Sequence, residues 1–192
     1  MACDDGVVAK LGGGYTLVSC VYWALGVGPL GADFAWVKVD GLDASSIIAY
    51  LASRLGRFGP VDLVMLDSVT IAGFNVASPA SIHRLTGAPV VVLYKYSPSL
   101  ERLASAVVNV DMHRVRLRVL KIVGDAVELR TRRGRLYAIV WGASLDRIVS
   151  VVEELQFFGR MPEPLRLAHY LASAISSILN LGSGECFNSE ET

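Results

Sequence analysis

The sequence predicts a single α/β domain whose mixed sheet, an antiparallel meander followed by parallel strands, is flanked by helices. Three observations carry that reading. The runs 61–67 (V-D-L-V-M-L-D) and 90–95 (V-V-V-L-Y-K) are short, apolar, rich in β-branched residues and closed by a charge, the pattern of strands buried on both faces. Helix-period segments separate them, as parallel connections require. Ahead of them, Tyr15–Leu25 and Phe34–Val39 read as strands joined by a Gly/Pro-rich turn, Gly26–Gly31, and with a short strand reaching Cys3 they form the meander.

The remaining elements follow in order. Asp43 is placed to cap a helix from Ala44 to about Leu55, with Ile47, Ile48, Leu51 and Leu55 on one face. After Asp67 comes a loop, Ser68–Ala77, and Ser78-Pro79 opens a helix with a cap and a first-turn proline. Gly87 stops that helix, Pro89 starts the strand to Lys95, and Ser97-Pro98 starts a helix that turns Leu100, Leu103, Ala104 and Val107 inward. From Asp111 to Asp125 a strand alternation (Val115, Leu117, Val119) competes with a helical spacing (Leu117, Leu120, Val123), and helix is preferred. Ala126–Thr131 and Arg135–Trp141 form a hairpin around Arg132-Arg133-Gly134. Ser144 caps a helix through Phe157, and a last helix runs from Pro162 to near Leu181. The domain is expected to span 1–181, with 182–192 a disordered polar tail.

At 192 residues, 53% of them hydrophobic, the chain fills one core. Lys+Arg and Asp+Glu balance at 18 each, so any nucleic-acid surface must be local. Cys3, Cys20 and Cys186 are odd in number and lack C-x-x-C spacing, which argues against a disulfide framework and a zinc site. Cys20 reads as a small core residue and the setting as a reducing cytoplasm. The longest apolar stretch, Tyr15–Leu25, falls short of the about 20 residues a membrane span needs, so no membrane partner is expected.

Polar residues from four places should converge: Asp4 and Asp5, Asp67, Lys95, and His169 in Pro162–His169. A charged residue ending a buried strand projects into the crevice where open α/β sheets hold their sites. Carboxylates gathered there repel one another unless a cation neutralises them, and hard oxygens suit magnesium or manganese. The residues therefore point to a divalent-metal site with a lysine and a histidine beside it. Each also has a plainer reading. Asp67 could cap the following loop, Asp4 and Asp5 could be a solvated end, and Asp43 could serve only its helix. Lys95 could simply reach water, and His169 could sit satisfied at the border of an apolar face.

Two further features stand out. In Thr70-Ile-Ala-Gly-Phe-Asn75, Phe74 is an odd choice for a surface loop, Gly73 lets a ligand approach, and Asn75 is suited to a phosphate or base edge. Arg114, Arg116, Arg118, Lys121, Arg130, Arg132, Arg133 and Arg135 crowd a stretch whose only acids are Asp125 and Glu128. Such a cluster suits phosphates, although a solvated face is the plainer meaning. His83 and His113 read as surface residues, Trp36 and Trp141 as core or half-buried.

Together, Asp4-Asp-Gly6, Val39-Asp-Gly-Leu-Asp-Ala44, Val64-Met-Leu-Asp67 with Ala72-Gly-Phe-Asn75, Thr86-Gly-Ala-Pro-Val-Val91 and Gly159-Arg-Met-Pro-Glu-Pro-Leu-Arg-Leu-Ala-His169 resemble the archaeal endonuclease dU-like family, relatives of endonuclease V. The resemblance implies a ribonuclease H-like fold and a magnesium-dependent (or manganese-dependent) endonuclease acting on DNA or RNA that contains a deaminated base such as deoxyuridine or deoxyinosine. It places Asp4 on the first-strand carboxylate, Asp67 on the fourth-strand one and, across a short insertion, Asp43 near the acidic residue at the helix start. These three would bind metal. Lys95 falls on the lysine ending the fifth strand and His169 on the late helical residue beside the metal. Gly73, Phe74, Asn75, Arg132 and Arg133 are the candidate substrate contacts. Endonuclease V carries a histidine in the loop after its fourth-strand aspartate, whereas this chain has Ala72-Gly-Phe-Asn75, and Ser68 stands where the dU-like family has glycine. Those departures and the neutral net charge motivate the rival reading, a non-catalytic nucleic-acid-binding or scaffold protein on the same fold.

Overall fold

The computed structural model describes residues 1–8 and 14–183. Among them, seven strands form one mixed sheet in the order β3-β2-β1-β4-β7-β9-β8. Strands β1 (Ala2–Asp5), β2 (Tyr15–Ala24) and β3 (Gly28–Lys38) are the meander, with β1 central and β3 at an edge. β4 (Val64–Leu66) and β7 (Val90–Tyr94) run parallel to β1. The hairpin β8 (Val127–Thr131) and β9 (Gly134–Trp141) closes the other edge antiparallel to β7.

Six helices cover the sheet. The core on one face draws on α1 (Ala44–Leu55), α2 (Pro79–Thr86), α3 (Leu100–Val107) and α4 (His113–Val123). The core on the other draws on α5 (Leu145–Glu154) and α6 (Glu163–Ser183). Side chains alternate between faces along a strand, so Cys3, Val64, Leu66, Val90 and Val92 enter the first core and Ala2, Met65, Val91 and Leu93 the second. The caps do what their residue types allow: Ser78 and Ser144 side chains accept from the third residue of α2 and α5. Among the described residues no helix is long and apolar enough to cross a membrane.

Several expectations need correction. Cys3 and Cys20 form a disulfide. They are direct partners across β1 and β2, with Cα atoms 4.1 Å apart, so ladder register supplies the proximity that a separation of 17 residues conceals. The inference of a reducing setting loses its premise. The run 61–67 keeps only three residues in strand, and the loop after it contains a small hairpin, β5 (Thr70–Ile71) and β6 (Asn75–Val76). Ala72 and Gly73 turn that hairpin with φ of 51° and 80°. Ser99 rather than Ser97 caps α3. Trp36 is 53% exposed because it lies on the edge strand. The last helix runs to Ser183, two residues past its expected end, and the rest of the expected tail, 184–192, lies outside the described residues.

Candidate functional site

The ends of β1, β4 and β7 carry the site. Cys3 pairs in parallel with Leu66, so the residues that follow, Asp4 and Asp67, leave adjacent strands side by side. Period two puts Asp4 with Ala2, Asp67 with Met65 and Lys95 with Leu93, all toward the face covered by α6. Helix α6 brings His169 to the same place. Asp4, Asp67, Lys95, His169, Arg166 and Tyr170 line one cavity of about 290 Å³. Asp4 is 3% exposed, and His169 Nδ1 donates to Asp4 Oδ2 at 2.7 Å. That bond fixes the tautomer and leaves Nε2 free to carry or take a proton.

The carboxyls are tuned by burial and by each other. Burial, and then the Asp5 charge, raises Asp4 above the usual range. Burial, the Asp4 charge and a hydrogen bond to Asp4 push Asp67 up to about 7. Like charges this close cannot both ionise cheaply, so below about pH 7 Asp67 holds a proton and donates it to Asp4. Among the described residues no three His, Cys, Asp or Glu side chains close around a common point. The donor set is thus a pair of hard oxygens, not a complete cage.

Asp5 faces the opposite side. Its Oδ2 accepts from Ala72 N at 2.6 Å, and burial raises its pKa. Around it the chain ties its own loops together. Phe74 N donates to Asp40 Oδ1 at 2.7 Å. Asn75 Nδ2 donates to Lys38 O and Asp43 Oδ1, while Asn75 Oδ1 accepts from Ala44 N. Asn75 is fully buried, and its side chain spends its hydrogen bonds on clamping the start of α1. Asp43 stands at the N-cap without a side-chain cap bond, its carboxylate given to Asn75 and to Lys38 N. It does not line the Asp4–Asp67 cavity. Gly73 and Phe74 are half-buried, and Phe74 lines a separate cavity of about 770 Å³ with Asp40, Met112 and Arg116.

Arg116 departs most from the basic-cluster reading. It is 1% exposed, and its guanidinium donates to the carbonyls of Phe74, Asp111, Asp40 and Gly41, with burial lowering its pKa. No phosphate can reach it. Elsewhere Arg132 pairs with Glu153 at 3.2 Å and Arg133 Nε donates to Gln156 O at 2.7 Å. Arg130 bonds Glu128. The hairpin arginines are thus partly spent in holding β8 and β9 against α5. Asp5 and Arg116 take roles other than those the sequence pattern suggests. The D-D doublet was the available sign of the first; nothing in the local pattern signals the second.

Comparison with known proteins agrees with this geometry. The family model described as endonuclease dU matches residues 1–176. A UPF0215 protein of Aeropyrum pernix is 46% identical over 93% of this chain and 98% of its own. One from Pyrococcus horikoshii is 35% identical over 73% and 72%. Among solved structures, a protein of unknown function from Archaeoglobus fulgidus superposes with a TM-score of 0.80 and 26% identity, covering 91% of this chain and 95% of that one. Endonuclease V of Ciona intestinalis, solved with an inosine-containing DNA, superposes with a TM-score of 0.58 and 13% identity over 96% and 85%. That last likeness establishes the fold.

Proposed function

The chain belongs to the endonuclease dU family, and from that premise we propose that it is a metal-dependent endonuclease cutting nucleic acid, DNA in the first instance, beside a deaminated base. The observation that carries the proposal is the Asp4–Asp67 carboxyl pair, set on adjacent parallel strand ends in one cavity with Lys95 and His169. Two carboxyls that burial and then mutual charge push upward, Asp67 to about 7, are matched to a divalent cation, which would replace the proton they share. Magnesium is commonly held by one or two carboxylates plus water and substrate phosphate, so Asp4 and Asp67 fit it without a third protein ligand. When bound, such an ion supplies an activated water and neutralises charge on the phosphoryl oxygens.

The remaining roles belong to the chain itself. Asp4, buried and bonded to His169, holds the imidazole in the tautomer whose Nε2 can take a proton or return one to the leaving oxygen. Lys95, exposed at the cavity edge, is positioned to offset negative charge on the scissile phosphate. Asp43 takes no part in this reading, since its carboxylate fixes Asn75. A base inside duplex would have to be extruded, which costs least when it is mispaired.

The test is cleavage of labelled oligonucleotides carrying uracil, hypoxanthine or no lesion, with magnesium and with chelator. Lesion-dependent, chelator-sensitive cutting is expected. Binding with no cutting under any of these conditions would assign the chain to the non-catalytic class.

A further inference from the structure

We propose that Tyr170, which lines the carboxyl cavity, and Tyr96, the residue after the cavity's Lys95, each with an arginine against its ring, form a stacking rim that holds unpaired nucleotides of a single strand across the site. The inference rests on the nuclease reading and adds the form of nucleic acid that the site prefers. The Tyr96 and Tyr170 rings are 73% and 58% exposed, large apolar faces left in water beside the cavity where Asp4, Asp67, Lys95 and His169 meet. Tyr96 follows Lys95, and Tyr170 follows His169 and lines the cavity itself. Each ring is held by a cation: Arg160 lies 5.5 Å from the Tyr96 centroid and Arg166 lies 5.8 Å from that of Tyr170.

The arginines are themselves anchored. Arg166 Nη1 donates to both carboxylate oxygens of Glu163, at 2.7 and 2.9 Å, and Nη2 donates to the Tyr170 hydroxyl at 3.4 Å. Arg160 lies 3.5 Å from the carbonyls of Lys95 and Arg135, joining the β7 end to the β9 strand. These contacts fix one edge or face of each ring and leave much of its surface in solvent. Such a platform accepts an unstacked base, whose π-face is available in a single strand and already occupied in a duplex. Lys95 and Arg160 would supply attraction for the backbone, which the two cavity carboxyls would otherwise repel.

The experiment measures binding in chelator, so that hydrolysis plays no part. Fluorescence anisotropy of a labelled 20-residue single strand and of its blunt duplex would be read for the full chain, for Tyr96→Ala, Tyr170→Ala and both together, and for the paired Tyr→Phe variant. The single strand is expected to bind at least about tenfold tighter than the duplex. Each alanine is expected to weaken it at least about fivefold, while the paired phenylalanine variant stays within about twofold of the parent, because stacking and not the hydroxyl carries the contact. Duplex binding should change less than single-strand binding. Equal affinity of the parent for both forms would overturn the rim. So would alanine losses below about twofold beside an unchanged thermal melt, or a phenylalanine pair that falls as far as the alanine pair. The nuclease reading fails separately, through absence of metal-dependent cutting, so the two failures are told apart.

Discussion

On one face of the sheet Asp4 meets Asp67 and His169 in a cavity open to substrate. One residue later, Asp5 accepts from the backbone of Ala72, while its charge still bears on Asp4. Behind it Asp40, Asn75 and Arg116 tie down the neighbouring loops. The two aspartates share chemistry and sequence position to within a residue. The strand's alternation gives the first the cavity and the second a backbone partner, although their charges still act on each other. A carboxylate left with another carboxylate and an imidazole is poised to exchange its proton for a cation. One that accepts a backbone N–H is committed to structure.

The strongest way to break this contrast is Asp67→Asn, which conserves volume and removes the charge that would hold an ion. Metal-dependent cleavage is expected to fall at least about a hundredfold with an unchanged melting temperature. Near-normal cleavage would make Asp67 structural and return Asp4 to the scaffold class. On the opposite face, Arg116→Met should cost about 3 kcal/mol in urea unfolding, since it orphans buried carbonyls of three loops at once. A loss below about 1 kcal/mol would mean that those loops hold without it.

The pair can also be sharpened by pH. Burial and the Asp4 charge raise Asp67 from 3.8 to about 7, so the folded state binds more protons than the unfolded one between those values. The contribution of Asp67 to the stability of chelated protein therefore falls as pH rises through that window, while the buried Met1 amine, lowered from 8.0 to about 6, contributes in the opposite direction. Measured against Asp67→Asn, which keeps the Met1 contribution and removes that of Asp67, the parent melting temperature is expected to drop by roughly 5 °C more between pH 5 and pH 8, and magnesium should recover part of the difference at pH 8. Parallel pH profiles for parent and variant would refute the strained-pair account. The smallest effect is expected at the hairpin. Because Arg132 and Arg133 already serve Glu153 and Gln156, replacing both by Ala should change the salt slope of nucleic-acid binding by less than about one unit. A change of about two would place the hairpin on the phosphate backbone.

The sequence by itself determined the α/β class and nearly every helix and strand. It also brought out Asp4, Asp67, Lys95 and His169 among the residues that line the cavity, because buried strands, serine caps and prolines leave local marks that read without a fold. The apolar runs ending in Asp67 and Lys95 carried most of that information. What it did not contain was pairing. The Cys3–Cys20 bridge depends on β1 and β2 register, the burial of Arg116 on carbonyls from three places in the chain, and the division between Asp4 and Asp5 on which helices cover which face. Asn75 and Asp43, each plausible alone as a site residue, satisfy each other across 32 positions. Short-range pattern records what a residue is suited to, and only tertiary structure decides which partner reaches it first, since a polar group once buried must spend its hydrogen bonds on whatever the fold brings near.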